Sequence, residues 1–249
     1  MEAFVLSKLI RIDKWLSHMG VATRSECKLL VKQGAIVVDG QAIKDAGLKV
    51  NPDNVQLLVN GQELTYKPYI YVMMNKPPGV ISATEDRHLS TVIDLLPAEW
   101  QHFSPFPVGR LDKDTEGLLI LTNDGKLAHE LLSPRKHVPK TYFARIAGIV
   151  DEADASAFLE GVTLDDGYLT LPSQLQIDYV DSSAQMSEIR LTIMEGKFHQ
   201  VKRMFAARGK TVTYLRRLSM GSLHLDERLA LGDCRELTAM ELSLLTGEV

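Results

Sequence analysis

The sequence predicts an α+β protein in two parts: a small helix–helix–sheet unit, then a larger domain built on a mixed, largely antiparallel sheet. Three observations lead there. Apolar residues recur at helical spacing near the N-terminus. Two turn dipeptides, Asp39-Gly40 and Asn60-Gly61, then separate short apolar runs, the signature of hairpins. From Tyr69 onward, strand-like stretches alternate with short, irregular helical segments, without the regular alternation of a doubly wound fold. A chain of 249 residues accommodates two such domains. We place the first at residues 8–66, a linker at Lys67-Pro68, and the second at residues 69–245.

In the first part, Ile12, Trp15, Leu16 and Met19 mark one amphipathic helix. A second runs from Arg24 to Gln33, presenting Cys27, Leu30 and Val31; Ser25 opens it and Gly34 is placed to end it. Ala35 to Val38 and Val55 to Val59 read as strands closed by the two turns. In the second part the predicted strands are Ile70 to Met74, Gly117 to Thr122, Tyr142 to Ile146 and Glu188 to Ile193. The predicted helices are Thr91 to Leu95, Lys126 to Leu132, Asp154 to Glu160 and Gln200 to Arg208.

Apolar residues at 45% and charged residues at 24% are the ordinary globular mixture and argue against disorder. No apolar run approaches the roughly 20 residues that a bilayer span requires. Glu2 and a brief apolar patch without a small-residue cleavage site give no support for secretion, so a cytoplasmic protein is expected. Cys27 and Cys234 are too few for a disulfide framework and too far apart for a metal knuckle.

The net charge of −4 is unevenly spread. Lys8, Arg11, Lys14, Arg24, Lys28 and Lys32 face only Asp13 and Glu26 in one run. Lys197, Lys202, Arg203, Arg208, Lys210, Arg216 and Arg217 face only Glu195 in another. Phosphate attraction is screened within about 10 Å, so local basic patches on an acidic body suit RNA; a merely solvated charged face is the alternative.

The densest chemical signal is Gly109-Arg-Leu-Asp-Lys-Asp-Thr-Glu-Gly117, a polar loop bounded by glycines that runs into an apolar strand. Asp112 stands at the lip of that strand, where a carboxylate is held rigidly and partly desolvated. An Asp that only hydrogen-bonds its own turn is the alternative. Asp112 and Asp114 as a paired acid and base is a weaker reading, because residues two apart in a loop need not face each other. In Glu195-Gly-Lys-Phe-His-Gln-Val-Lys-Arg-Met-Phe205, Val201, Met204 and Phe205 form an apolar helical stripe, while Lys202 or Arg203 could pair with an active-site carboxylate. His199 is isolated, without a second His or a Cys at ligand spacing, so no metal is expected. Lys140-Thr-Tyr142 offers a phenol at the start of a strand. No phosphate loop or dinucleotide motif is present.

Taken together and in this order, Asn75-Lys-Pro-Pro-Gly79, the segment from Gly109 to Gly125, Ser133 to Tyr142, Glu195 to Phe205 and the Gly232-to-Thr238 tail resemble the bacterial rRNA pseudouridine synthases. The segment from Arg11 to Gly40 resembles the RNA-binding module shared with a small-subunit ribosomal protein. The resemblance covers essentially the whole chain. It implies an α+β fold in which an RNA-binding module precedes a pseudouridine synthase domain, and a cofactor-free isomerase. Asp112 would initiate scission of the uridine glycosidic bond, by addition to the sugar, addition to the base or removal of a sugar proton. Tyr142 would stack on the base and assist at its carbon 5. Lys202 would pair with Asp112; related families carry Arg there, which has the bidentate fork that Lys lacks. Leu215 and Leu111 would line the pocket. Arg110, Lys140, Gln200 and Arg203 would hold the flipped nucleotide, and Arg11, Lys14 and Arg24 the surrounding RNA.

The partner implied is rRNA, most closely 16S rRNA in a small-subunit precursor particle, with the enzyme acting as a monomer away from membranes. Three rivals stand beside it: a non-catalytic ribosome-assembly protein, a hydrolase using Asp112 and Asp114, and a large-subunit synthase. The first predicts no tritium release from uracil-5-labelled RNA, and the second predicts cut or abasic RNA.

Overall fold

The computed structural model describes residues 9–247; Glu2 and Lys8 lie outside the described residues. The chain divides into two compact units, Met1–Ile70 with Pro97–Ser104, and Tyr71–Leu96 with Pro105–Val249. The inclusion of Pro97–Ser104 in the first unit departs from the contiguous division expected. Phe103 is an apolar ring that packs edge-on against His18, with centroids 5.1 Å apart, and this draws its segment into that unit.

In the first unit the helix Ile12–His18 buries Ile12, Trp15 and Leu16, and the helix Arg24–Lys32 buries Cys27. The second helix opens on Thr23 and not on Ser25. The Thr23 hydroxyl accepts from the Glu26 amide and the Glu26 carboxylate accepts from the Thr23 amide, which satisfies two otherwise orphaned donors. Gly34, at φ +68°, follows the last turn. A four-stranded sheet runs in the order Gln41–Ala42, Ile36–Val38, Leu57–Val59, Gln62–Glu63. Asp39-Gly40 and Asn60-Gly61 close its hairpins with positive φ at both central residues. The third strand begins at Leu57, two residues later than expected. Ile12, Trp15, Leu16, Cys27, Ile36, Leu57 and Val59 make one core; each large apolar side chain so buried is worth about 1.5–3 kcal/mol.

The second unit is built on a nine-stranded sheet. Its main path runs Gln174–Asp181, Met186–Ile193, Lys140–Ala147, Thr211–Met220, Glu116–Thr122, Tyr71–Lys76, Cys234–Glu236. Every pairing on that path is antiparallel except one. Thr211–Met220 meets Glu116–Thr122 in parallel, through Arg216 opposite Glu116 and Arg217 opposite Gly117. Alternation buries Lys140, Tyr142, Ala144 and Ile146 on one strand and Leu215, Arg217 and Ser219 on its neighbour. The helix Gly125–Leu132 sets Leu127 and Leu131 into a core with Met73, Leu118, Ile120 and Met220.

The segment Thr91 to Leu95 is not a helix. Thr91 is bridged to Ile81, the Leu96 amide closes a tight turn on the Ile93 carbonyl, and Pro97 follows, which disfavours helical backbone in the residue before it. The strands Gln174–Asp181 and Thr211–Met220 and the helix Ala239–Thr246 carry no matching sequence expectation.

Candidate active site

The loop bearing Asp112 is fixed from below. The Thr115 amide donates to the Asp112 carbonyl at 3.1 Å, folding the loop into a turn. The Ser82 hydroxyl accepts from the Leu111 amide and donates to the Leu111 carbonyl, both at 3.0 Å. Beneath these, the Lys76 side chain is fully buried. Its ammonium donates to the carbonyls of Pro77, Asp112, Lys113 and Thr115 at 2.9–3.3 Å. Burial pushes this amine down to about 8, against the attraction of Asp114, Asp112 and Glu116. The loop then enters the Glu116–Thr122 strand through Gly117, at φ +101°, where a Cβ would come within 2.3 Å of the Arg217 carbonyl. Only glycine allows the two parallel strands to approach so closely.

The Asp112 carboxylate is partly exposed, its side chain at 26%. Lys202 Nζ lies 3.3 Å from Asp112 Oδ2 and 2.6 Å from Asp114 Oδ1, so one ammonium bridges both carboxylates. Burial works against the Lys202 charge, but the Asp114 hydrogen bond and the two carboxylates outweigh it and raise its pKa. The same hydrogen bond holds Asp114 below the usual carboxylate range. His199 Nε2 stands 3.5 Å from Asp112 Oδ1. His199 has a left-handed backbone, φ +49°, as the residue that opens the helix Gln200–Ala207, and its ring stacks on the exposed Phe198 at 3.8 Å.

Above this lip, Arg110, Leu111, Asp112, Tyr142, Gln200 and Leu215 line one hollow of about 60 Å³, together with Thr115, His199 and neighbouring residues. Tyr142 and Leu215 come from adjacent strands and are both buried. Lys140 sits in an adjoining cavity that also takes in Arg110 and Tyr142.

Other expected residues are engaged elsewhere. Arg203 pairs with Asp165 and Asp166, the latter at 2.7 Å, and Lys202 is the cation that reaches Asp112. The reason is helical phase: neighbours on a helix leave about 100° apart. The Gln200 amide is spent on its own loop, donating to Glu195 Oε1 and accepting from the Lys197 amide, both at 2.9 Å. Arg11 forms a two-pronged pair with Asp13, at 3.0 and 2.7 Å, while Lys14 and Arg24 are exposed.

The second basic run is therefore not a solvated face. Arg208 and Lys210 converge on the fully buried Asp154 at 3.0 and 2.8 Å, Arg203 serves Asp165 and Asp166, Lys202 serves the Asp112 lip, and Arg217 is only 2% exposed. Three residues of this site escaped the sequence reading. Lys76 acts through main-chain carbonyls, which no spacing reveals. His199 looked isolated because its partner is 87 residues away in the chain. Arg217 was counted with the surface cations, although alternation from Leu215 turns it inward. Among the described residues, no group of three or more His, Cys, Asp or Glu converges as a metal site, and no helix is long and apolar enough to cross a membrane.

Comparison with known proteins agrees with this architecture. Residues 70–207 match the family model for RNA pseudouridylate synthases, and residues 10–55 match the S4 domain. The chain is 51% identical to an "Uncharacterized RNA pseudouridine synthase YtzG" of Bacillus subtilis, over 95% of this chain and 98% of that one. It is 39% identical to a ribosomal small subunit pseudouridine synthase A of Vibrio vulnificus, over 94% and 98%. It is 38% identical to a ribosomal large subunit pseudouridine synthase B of Bacillus subtilis, over 94% and 95%. Among solved structures, a pseudouridylate synthase superposes with a TM-score of 0.65 at 33% identity, covering 95% of this chain and 99% of that one. The chain belongs to the pseudouridine synthase family, with an S4 RNA-binding domain preceding the synthase domain.

Proposed function

We propose that this pseudouridine synthase isomerises one uridine of 16S rRNA, with Asp112 as its catalytic group. The reaction exchanges the N1–C1′ bond of uridine for a C5–C1′ bond; carbon 5 loses a proton and N1 gains one. Atoms and electrons balance within the nucleotide, so no cofactor is required. The observation that carries the reading is the Asp112 carboxylate at the mouth of a hollow walled by Tyr142 and Leu215. A uridine in folded RNA reaches such a carboxylate only by leaving its stack, and the Tyr142 ring with the Leu215 side chain offers faces for the extruded base. Lys202 balances the charge of the lip, and Arg110 at its rim is placed to meet a phosphate. Residues 8–66 recruit RNA and residues 69–245 carry out the reaction.

The small-subunit target rests on Ser133 to Tyr142 and Glu195 to Lys210, the segments whose resemblance to small-subunit enzymes is closest. Ser133, His137 and Lys140 from the first and Glu195 and Lys197 from the second wall the cavity beside the Asp112 hollow. The matching 38% identity to a large-subunit enzyme favours 23S rRNA as the second reading. Purified enzyme is to be offered unmodified 16S and 23S rRNA, free and as partly assembled particles, with pseudouridine mapped at nucleotide resolution. We expect a single modified site in 16S rRNA, formed more readily in the particle. Modification confined to 23S rRNA overturns the target and leaves the reaction standing. Asp112→Asn is expected to cut tritium release from uracil-5-labelled RNA by about 1,000-fold or more while RNA affinity holds; a loss below about tenfold removes Asp112 from the chemistry.

A further inference from the structure

Behind Tyr142 lies a second cavity, of about 400 Å³, that shares Arg110, Tyr142, Gly196 and Lys197 with the Asp112 hollow. Its lining brings Arg110, Lys140, Lys197 and Arg217 against one carboxylate, Glu195. That carboxylate is already engaged by neutral donors: the Tyr168 hydroxyl at 2.6 Å, the Leu171 amide at 3.0 Å and the Gln200 amide at 2.9 Å. Lys197 rests over the Tyr168 ring, 4.6 Å from its centroid.

Lys140 and Arg217 are the unusual pair. They are 9% and 2% exposed, and among the described residues neither is paired with a carboxylate. The Lys140 ammonium donates to the Val138 carbonyl at 2.8 Å, and Arg217 Nε donates to the Leu118 carbonyl at 2.8 Å. Among the described residues Arg217 Nη2, also buried, has no hydrogen-bond partner. Burial, and then the adjacent Arg217 charge, push Lys140 down to about 8. Two cations withdrawn from water beside each other, with a donor unmet, cost free energy that no direct ion pair offsets, since Glu195, the one carboxylate of the cavity, pairs with neither among the described residues. Where this chain withdraws other charges completely it satisfies them, Asp154 with Arg208 and Lys210 and Lys76 with four main-chain carbonyls.

An anion resolves the imbalance. A phosphodiester has charge for both cations, oxygen atoms for the unmet N–H, and a sugar and base to lie along the apolar wall of Leu171 and Met194. We propose that this cavity binds a phosphate of the RNA strand next to the target uridine, gripped by Lys140 and Arg217. The flanking nucleotide is thereby anchored on one side of Tyr142 while the uridine stands over Asp112 on the other. The adjacency to a uridine rests on the reading of the Asp112 hollow given above; the phosphate affinity does not.

The full-length protein, labelled with nitrogen-15 arginine, is titrated with inorganic phosphate, with a uridine dinucleotide and with its uncharged methylphosphonate analogue, following the Arg217 Nε–H resonance. Phosphate and the dinucleotide are expected to shift it and the methylphosphonate to leave it in place. Lys140→Met is expected to weaken the dinucleotide about tenfold or more, and Lys140→Arg to preserve it. A response equal for the dinucleotide and its neutral analogue overturns the proposal, as does undiminished affinity in Lys140→Met. A response to inorganic phosphate alone overturns the RNA assignment and makes the cavity a site for a free anion. Tritium release by the wild-type enzyme is measured separately, so failure of the uridine reading and failure of the phosphate site are told apart.

Discussion

The Asp112 loop and the floor of the neighbouring cavity each bury a lysine, and the chain treats the two lysines differently. Lys76 is withdrawn completely, but its ammonium meets four main-chain carbonyls and the field of Asp112, Asp114 and Glu116. Lys140 is almost as deep, meets one carbonyl, and has an arginine for a neighbour. Burial pushes both down to about 8, yet the charged form of one is satisfied and that of the other is not. The difference separates a finished structural device from a site awaiting a ligand. A buried polar group retained without its partner costs free energy unless binding supplies the partner.

The strongest way to break the comparison is to remove the finished device. Lys76→Met keeps the stem but leaves the Pro77, Asp112, Lys113 and Thr115 carbonyls without their common donor. We expect a loss of about 3 kcal/mol in unfolding free energy, read as a lower urea midpoint at unchanged slope. Lys140→Met, which removes an under-satisfied charge, is expected to cost far less or to stabilise the free protein. Equal losses in the two variants would erase the distinction.

A smaller effect is expected at the lip itself. Lys202 bridges two carboxylates that come together around it, Asp112 at 3.3 Å and Asp114 at 2.6 Å, and cancels half of their charge. In Lys202→Met the hydrogen bond that holds Asp114 below its usual range is lost, and the carboxylates keep the buried Lys76 ammonium but lose the cation that touches them. Turnover at neutral pH should fall by at least about tenfold, with RNA affinity changed much less. Arg203→Met is the control: its partners Asp165 and Asp166 lie outside the hollow, and turnover should hold. Equal falls for Lys202 and Arg203 would mean that helix position alone matters.

How far the two regions were legible from sequence follows from the kind of contact each uses. Of the three residues that meet at one hollow, Asp112 was legible from a polar loop entering an apolar strand, and Tyr142 and Leu215 only from the family resemblance. The helices around Ile12, Cys27 and Val201 were readable from periodicity, since burial of one face is written at a spacing of three and four residues. Thr91 to Leu95 failed because its start is bridged to the distant Ile81 and Pro97 stands just beyond its end, so a tight turn forms where periodicity suggested a helix. Lys76 was hidden because its partners are backbone atoms brought in by tertiary folding. The basic run from Lys197 to Arg217 misled in a similar way: charge was legible, but not the distant Asp154, Asp165 and Asp166 that absorb it. Arg217 was the inward cation of that run with a signal, its period-two relation to Leu215 and Ser219.

The smallest expected effect is a dependence of stability on pH that isolates the unsatisfied lysine. Lys140 titrates at about 8 in the folded protein, below its ordinary value of 10.5. As pH rises through 8 the folded state releases this proton first, and up to 10.5 the unfolded chain binds more. Stability therefore increases with pH across that interval on account of Lys140; below it both states are protonated and the contribution is flat at its least favourable. Lys76 acts in the same direction, so the wild-type trend alone does not assign it. The difference between wild type and Lys140→Met in urea unfolding at pH 7.5 and pH 9 does. Wild type should gain on the variant as the pH rises, and saturating the free protein with a uridine dinucleotide should diminish that gain, because a bound phosphate stabilises the charged amine and returns its pKa toward the ordinary value. A difference that is independent of pH would place the Lys140 ammonium in contact with water, and the contrast between the two lysines would then reduce to their hydrogen bonds.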